Sequence, residues 1–204
     1  DKIGFHRKLD TELPEVAAPL YPKRLSEIST ATQAFGHGIS VTPMHTAVAG
    51  AAVVNGGRYI SPTFFKRTRE EAAKVAVQVI RPETSDKMRY LFRLNNTPGS
   101  GGSGSKADVP GYLVGGKTGT AEKLENGRYS GNKRFNSYLS AFPMDDPRYV
   151  VLVVLDEPKA EKDVGAATAG LNTAPTVGAI IRRIAPILGV MPRYDQGKPA
   201  VASN

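Results

Sequence analysis

Small apolar residues recur at helical spacing between positions 43 and 55, and they form a well-marked pattern. Thr42 is of a type that caps helices, and Pro43 suits the first helical position. Glycines at 56 and 57 accept the left-handed conformation that ends many helices. The apolar stripe consists of Met44, Ala47, Val48, Ala51 and Ala52. The pattern predicts a helix that packs closely against a sheet or another helix, with His45 on its polar face.

Two more helices are predicted further along the chain. Pro82 opens the first, residues 95–98 stop it, and its apolar positions are Met88, Leu91 and Phe92. Residues 172–175 cap the second helix, which Pro186 breaks or kinks before Gly189 ends it. The apolar positions of this last helix are Val177, Ile180, Ile181 and Ile184.

Extended segments account for the rest of the predicted regular structure. Residues 59–66 contain Pro62, which favours an edge strand, and residues 75–80 are also predicted to be extended. Three strands joined by short turns follow, at 116–124, 136–142 and 149–155. Short turns predict an antiparallel meander, and the continuously apolar last strand is typical of one covered on both faces. The predicted fold class is therefore α+β, an antiparallel β-sheet flanked by helices.

Three segments are predicted to lack regular structure. Residues 125–128 have turn chemistry. Residues 99–105 are glycine and serine with no means of packing a core, so they are interpreted either as an engineered splice or as a natural mobile loop. Residues 191–204 are expected to form a tail, loose from about Val190, after one domain portion that spans residues 1–190.

The composition limits the classes of partner. The 204 residues are 40% hydrophobic, without Cys or Trp, which predicts one domain or a large piece of one, held by no disulfide. The formal charge of +8 favours anionic partners. However, the basic residues are scattered and the aromatic residues are not interleaved with them, so no nucleic-acid partner is predicted. No apolar run reaches 18 residues, no signal peptide is found, and Asp1 suggests a chain cut from something longer.

The three histidines do not form a recognisable site. His6 lacks a partner motif and is predicted to lie on the surface. His37 lies between two glycines that indicate a tight bend, and it is predicted to be a loop residue because nothing beside it orients it as a catalytic base. No metal and no cofactor are expected.

The strongest candidate site is the tetrapeptide Lys117, Thr118, Gly119 and Thr120. An ammonium and two hydroxyls are good donors for a carboxylate, and Gly119 lacks a Cβ, so another molecule's backbone can approach. Lys-Thr-Gly is one of three motifs that mark penicillin-binding proteins and class A β-lactamases. Alone, the tripeptide is equally compatible with an ordinary strand end that carries a surface lysine and exposed threonines.

The order of several motifs resembles a known family. Residues 35–43 read Phe-Gly-His-Gly-Ile-Ser-Val-Thr-Pro, the first helix ends Asn-Gly-Gly, and residues 114–123 read Val-Gly-Gly-Lys-Thr-Gly-Thr-Ala-Glu-Lys. Ser-Ala-Phe-Pro at 140–143 and Asp-Glu-Pro at 156–158 complete the order. From about Ile3 to Val190 the chain resembles the C-terminal half of the transpeptidase domain of class B penicillin-binding proteins, most of all the septal, division-specific peptidoglycan D,D-transpeptidase of Gram-negative bacteria.

The resemblance implies a penicillin-binding transpeptidase or β-lactamase-like fold and a serine acyl transfer that cross-links peptidoglycan stem peptides. It implies that Lys117 assists proton transfer and stabilises the anionic end of the substrate. It also implies that the hydroxyls of Thr118 and Thr120 bind the substrate carboxylate. The Thr120 N–H would supply half of the oxyanion hole, and Gly119 would keep the strand bare for the substrate. These residues are expected on an exposed sheet margin beside an open groove. Strict strand alternation, however, places Lys117 on the face opposite both threonines.

The resemblance also implies partners and a location. The expected ligands are peptidoglycan stem peptides and β-lactam antibiotics, and the expected protein partners are other cell-division proteins of the full-length parent. The expected location is the periplasmic domain of a protein anchored in the inner membrane.

The chain departs from the family pattern in its missing motifs. Inside the glycine and serine run, where a rigid helix start is not expected, the letters Ser-x-x-Lys occur at Ser103 and Lys106. We interpret this match as accidental. No Ser-x-Asn lies in the expected place, so we predict that the nucleophile is not in this chain and that the chain alone is inactive.

Two alternatives remain open at this stage. One is a relative with the same fold but another role, such as a β-lactam sensor or a β-lactamase. The other is a non-enzymatic basic module that binds nucleic acid or another anionic polymer.

Overall fold

The computed structural model describes residues 2–125, 128–160 and 167–194. Helices predominate in the first half of the described chain, and a short 3₁₀ turn precedes three consecutive strands and a last helix. In chain order they are α1 (Glu27–Ala34), α2 (Pro43–Val54), β1 (Arg58–Tyr59), α3 (Arg69–Val75), β2 (Val77–Gln78), α4 (Pro82–Asn96), the 3₁₀ turn (Ser105–Ala107), β3 (Gly115–Glu125), β4 (Arg128–Phe142), β5 (Tyr149–Asp156) and α5 (Thr173–Ile187).

The main sheet is an antiparallel meander in the order β3-β4-β5, as the short turns predicted. Adjacent residues of a strand point to opposite faces. Tyr138 of β4 belongs to the core under α5, whereas the next residue, Leu139, lies beside Gly50 of α2. Helices α5 and α2 therefore cover opposite faces, and β5 contacts both of them. The predicted α+β arrangement of an antiparallel sheet flanked by helices is confirmed.

The largest cluster of buried side chains lies between the sheet and α5. Its fully buried members include Tyr138 and Phe142 of β4 and Val177 and Ile181 of α5. Burial raises the pKa of Tyr138, and its hydroxyl donates to the buried Asn96 Oδ1 at the end of α4. This hydrogen bond joins the C-terminus of α4 to the centre of the sheet.

Replacing Tyr138 with phenylalanine is expected to lower the free energy of unfolding by about 1–3 kcal/mol at neutral pH, because Asn96 Oδ1 loses its buried donor. The raised pKa has a separate consequence. The contribution of the Tyr138 hydroxyl to the free energy of unfolding is complete below pH 10, the ordinary tyrosine pKa. It is lost as the pH rises above 10, because Tyr138 then ionises in the unfolded chain but not in the folded one. Urea unfolding between about pH 7 and pH 11 should therefore show a shallower alkaline decline for the variant than for the wild type. Equal alkaline slopes would contradict this assignment.

Helix α2 has its predicted ends but not its predicted buried face. Thr42 accepts the His45 N–H as N-cap, and Asn55 is the C-cap. His45 is fully buried, with its ring nitrogens 2.7 Å from Thr42 Oγ1 and 2.9 Å from the Arg7 carbonyl oxygen, whereas Met44 is 38% exposed. The prediction that His45 lies on a polar face was wrong. The helix is apolar nearly all round, so its own sequence does not show which side faces the sheet.

Helices α4 and α5 agree with their predicted starts and ends. Pro82 is the first residue of α4, and Thr97 is its C-cap. Asn172 caps α5, and Pro186 lies inside its last turn without ending it. Helices α1 and α3 were not predicted, although each begins with a capping box, Ser26 with Ser29 and Thr68 with Glu71.

Several predicted boundaries need correction. The predicted strand at 59–66 is reduced to Arg58–Tyr59, which pairs with Val77–Gln78 of the predicted 75–80 segment. Strand β4 begins at residue 128, so it is longer than predicted, and the turn predicted at 125–128 lies partly outside the described residues.

The C-terminal segment is anchored where it is described. Val190 is buried, the Arg193 N–H donates to the Gly111 carbonyl oxygen, and the Arg193 side chain pairs with Asp145. The expectation of a loose segment from Val190 was therefore wrong at its beginning. Residues 195–204 lie outside the described residues.

In the described ranges we find no helix long and apolar enough to cross a bilayer. The same ranges contain no cluster of His, Cys, Asp and Glu side chains that could hold a metal ion.

Candidate active site

The candidate tetrapeptide lies on an edge of the main sheet. Strand β3 is the outer strand, and among the described residues it pairs only with β4. Lys117 and Thr120 are exposed, while Thr118 and Gly119 are half-buried. A strand of this kind offers unpaired backbone groups to another extended chain. The expected exposed sheet margin is confirmed.

Alternate residues of β3 point their backbone N–H and C=O groups away from β4, towards the open edge of the sheet. The Asn95 amide donates to the Gly116 carbonyl oxygen at 2.9 Å, and the Lys117 ammonium donates to the Thr118 carbonyl oxygen at 2.7 Å. Neither donor belongs to β4, so these two carbonyls face away from the sheet. Because backbone groups alternate in an antiparallel ladder, the N–H and C=O of Thr120 face the same open edge. The N–H predicted to serve an oxyanion hole therefore points to the side that another molecule can reach.

The Lys117 side chain crosses from one face of the sheet to the other. Lys117 is opposite Leu139 and Thr118 is opposite Tyr138, so their side chains leave the strand on different faces. The long Lys117 chain nevertheless brings its ammonium within 3.4 Å of Thr118 Oγ1. The difficulty that strand alternation raised is resolved, since an edge strand leaves room for the side chain to bend round.

The two threonine hydroxyls share one face of β3 because they lie two residues apart. Thr118 Oγ1 is 2.7 Å from Ser103 Oγ, and Thr120 Oγ1 accepts the N–H of Ala169 at 3.2 Å. An oxygen that accepts from the protein keeps its own hydrogen for a ligand. Two loops, which carry Ser103 and Ala169, thus support the two hydroxyls from the α5 side.

Gly119 has a close neighbour within the sheet itself. A Cβ built on Gly119 would lie 2.5 Å from Ser137 Oγ, on the residue directly opposite in β4. The intramolecular contact is one reason for glycine at this position. The interpretation that Gly119 also keeps the strand bare for a substrate stays a prediction.

The glycine and serine segment at 99–105 is packed against the sheet and α4. A Cβ on Gly104 would lie 2.2 Å from the Tyr138 hydroxyl oxygen, and a Cβ on Gly102 would lie 2.1 Å from the Asn95 carbonyl oxygen. The expectation that this run has no means of packing was wrong. Its missing side chains are what allow the backbone to approach so closely.

The accidental Ser-x-x-Lys match does not form a catalytic pair in this structure. Ser103 Oγ contacts Thr118 and Asn95, and Lys106 is exposed in the 3₁₀ turn. No hydrogen bond between the Ser103 hydroxyl and the Lys106 ammonium occurs among the described contacts. This geometry supports the interpretation that the match is accidental.

Other candidate positions lie away from β3. His37 is in a loop between Gly36 and Gly38, both with positive φ, and its ring contacts Phe35 and Tyr129. Its assignment as a loop residue is confirmed. A surface cleft of about 570 Å³ is lined by residues of α3 and the β4–β5 turn, not by residues 117–120. The open groove predicted beside the tetrapeptide stays a prediction.

Sequence reasoning did not identify the residues that support the site from behind. Asn95, Ser103 and Ala169 hold the strand or its hydroxyls, yet they are 15 or more positions away from the β3 residues that they contact. The asparagine pair at 95 and 96 was noted only as a helix stop. No local pattern links these residues to β3.

Comparisons with known proteins agree on one family. The family described as "Penicillin binding protein transpeptidase domain" matches residues 1–182. Over 195 residues the chain is 40% identical to a probable peptidoglycan D,D-transpeptidase FtsI of Caulobacter vibrioides, covering 92% of this chain and 33% of that protein. It is 39% identical over 205 residues to stage V sporulation protein D of Bacillus subtilis, covering 95% of this chain and 31% of that protein. The chain thus spans about a third of these relatives.

Solved structures give the same answer for the fold. The transpeptidase domain of Burkholderia pseudomallei penicillin-binding protein 3 superposes with a TM-score of 0.80 and 32% identity, over 94% of this chain and 56% of that one. Penicillin-binding protein 3 of Mycobacterium tuberculosis, solved in complex with ampicillin, gives a TM-score of 0.82 and 27% identity over 100% of this chain and 48% of that one. The predicted transpeptidase fold is therefore confirmed.

Proposed function

Because this chain belongs to the penicillin-binding protein transpeptidase family, we propose that it forms the substrate-strand part of a peptidoglycan D,D-transpeptidase. The observation that carries the proposal is the edge of β3. There the Lys117 ammonium, the hydroxyls of Thr118 and Thr120 and the outward N–H of Thr120 are close together on an open strand. All of them are donors, and this matches a ligand with an extended backbone and a carboxylate end.

The proposed substrate is a stem peptide that ends in D-alanine. Its backbone pairs with the open edge of β3, and its terminal carboxylate receives hydrogen bonds from Thr118 and Thr120. Ammonium and hydroxyl donors to a carboxylate form the stronger, charge-assisted class of hydrogen bond. A β-lactam presents the same carboxylate beside a strained amide, and penicillin-binding protein 3 of M. tuberculosis has been solved with ampicillin and with aztreonam.

The proposed reaction is acyl transfer in two steps. A serine outside this chain attacks the D-alanyl carbonyl, D-alanine leaves, and the amine of a second stem peptide then takes the acyl group. The Thr120 N–H stabilises the oxyanion that develops in each step. Lys117 supports proton transfer to and from the serine through its positive charge. That the chain alone is inactive stays a prediction.

The setting follows from the proposed substrate. Peptidoglycan is assembled outside the cytoplasmic membrane, so we place this chain in the periplasmic domain of a membrane-anchored protein of septal cell-wall synthesis. Other cell-division proteins are its proposed protein partners. Neither a cofactor nor a metal has a role in the proposed chemistry.

The experiment that tests the proposal removes the two hydroxyls in the full-length protein. Thr118→Val and Thr120→Val should each lower the second-order rate of acylation by a fluorescent penicillin by about tenfold, since a hydrogen bond to a charged group is worth about 1.5 kcal/mol or more.

The matched control is Thr176→Val, because Thr176 is exposed on α5 and its hydroxyl donates to the Asn172 carbonyl oxygen, away from β3. Acylation at the wild-type rate in both site variants would refute the assignment of β3 as the substrate strand.

A further inference from the structure

Ser103 connects the loop at 99–105 to the proposed carboxylate site. Its Oγ is 2.7 Å from Thr118 Oγ1, and its backbone N–H donates to Asn95 Oδ1 at 3.1 Å. The same Asn95 side chain donates to the Gly116 carbonyl oxygen at 2.9 Å. One amide therefore fixes the loop and the strand relative to each other, with the two hydroxyls between them.

The hydroxyls of Ser103 and Thr118 share one hydrogen bond, and their surroundings bear on which of the two donates it. Ser103 has one hydroxyl hydrogen, and its other acceptor, Asn95 Oδ1, is 3.4 Å away and already accepts the Ser103 N–H. Thr118 Oγ1 is nearer, and it also faces the Lys117 ammonium at 3.4 Å, a group that can only donate. When Ser103 and Lys117 both donate to its oxygen, the Thr118 hydroxyl directs its own hydrogen elsewhere. The open edge of β3 is where a ligand would receive it.

We propose that Ser103, held in place by Asn95, is a positioning residue that makes Thr118 a directed hydrogen-bond donor to the substrate carboxylate. This inference rests on the proposed function, because it assigns a ligand to Thr118. The reverse polarity, with Thr118 donating to Ser103, would leave an oxygen facing the carboxylate and would repel it. Ser103 thus favours ligands that carry an anionic group at this point, both stem peptides and β-lactams.

The surrounding contacts keep Ser103 in position. Gly102 and Gly104 on either side of it lie against Asn95, Asn96 and Tyr138 with no space for a Cβ. The Gly104 N–H donates to the Asn95 carbonyl oxygen at 3.2 Å. The backbone that carries Ser103 is therefore anchored on both sides, next to Thr118.

The test is Ser103→Ala in the full-length protein, measured as the second-order rate of acylation by a fluorescent penicillin. We expect a loss of about three- to tenfold, the value of one hydrogen bond between neutral groups. Ser103→Thr keeps the hydroxyl and should restore most of the rate. Ser100→Ala is the matched control, because Ser100 is in the same loop but its hydroxyl bonds to the Leu94 and Thr97 carbonyl oxygens.

A double-variant cycle separates positioning from general weakening of the fold. In a Thr118→Val background, Ser103→Ala should cause no further loss, since the hydroxyl that it positions is already gone. This inference would be overturned by a wild-type acylation rate for Ser103→Ala, or by an equal loss of rate from Ser103→Ala in both backgrounds. The proposed function would survive either outcome as long as Thr118→Val itself slows acylation. A wild-type rate for Thr118→Val would overturn this inference, and a wild-type rate for Thr120→Val as well would also overturn the proposed function.

Discussion

Replacing Lys117 with alanine in the full-length protein is expected to slow acylation by a fluorescent penicillin by about a thousandfold. The substitution removes the positive charge at the open edge of β3, where the Lys117 ammonium lies 2.7 Å from the Thr118 carbonyl oxygen. Removing one preorganised donor from an acyl-transfer site costs about a hundredfold to a thousandfold, and a charged group that also assists proton transfer belongs at the upper end. Stopped-flow or gel-based acylation kinetics would measure the change.

Lys123→Ala is the matched control for this experiment. Lys123 is on the same strand, but its ammonium pairs with Asp156 at the end of β5 and with Glu157, the next residue. The hydrogen bonds that its ammonium donates to Glu157 and Asp156 raise the pKa of Lys123, so its charge is engaged there and not at the site. A near-wild-type rate of acylation of the Lys117→Ala variant would show that the strand does not carry the proposed chemistry. A loss of equal size in both variants would indicate a loss of fold instead.

Replacing Gly104 with alanine is expected to destabilise the protein by about 3 kcal/mol, the upper end of the usual cost of overpacking a core. The new Cβ would lie 2.2 Å from the Tyr138 hydroxyl oxygen and 2.5 Å from Asn96 Oδ1. The backbone at Gly104 has φ −96° and ψ 2°, which alanine can adopt, so the cost is a collision and not backbone strain. Urea unfolding at neutral pH would measure it.

A second substitution tests the cause of this destabilisation. Tyr138→Phe removes the hydroxyl oxygen that the new methyl group would strike, so Gly104→Ala should cost less in that background than in the wild type. Gly101→Ala provides a comparison in the same loop, because nothing lies within 4 Å of its Cβ position and only its φ of +76° disfavours alanine. Stability of Gly104→Ala within about 0.5 kcal/mol of the wild type would show that the loop is not packed as described.

The predictions that succeeded rest on signals within a few residues of one another. Helices α2, α4 and α5 were predicted from a cap or a proline at one end and from apolar spacing, and the β3-β4-β5 meander was predicted from strand composition and short turns. The same locality explains why the site strand was identified, since its cation, glycine and hydroxyls are adjacent. The capping boxes before α1 and α3 were equally local and could have been used.

The predictions that failed depend on contacts between distant parts of the chain. His45 is buried because the Arg7 carbonyl oxygen lies 2.9 Å from its ring, 38 positions earlier, and an all-apolar helix does not itself indicate its inner face. The glycine and serine loop is ordered by Asn95, Asn96 and Tyr138, none of which is inside it. Arg193 anchors the start of the C-terminal segment through Gly111 and Asp145.

For this protein, the linear sequence alone determined the class of fold and the tetrapeptide that we propose binds the substrate, because helix ends, strand periodicity and adjacent donor groups are all short-range properties of the chain. Only the tertiary structure decided how those donors are aimed. In our proposal the direction of the Thr118 hydroxyl depends on Ser103, and Ser103 is in turn held by Asn95 near the end of α4. A hydrogen bond has a direction as well as a partner, and that direction exists only when distant residues have been brought together.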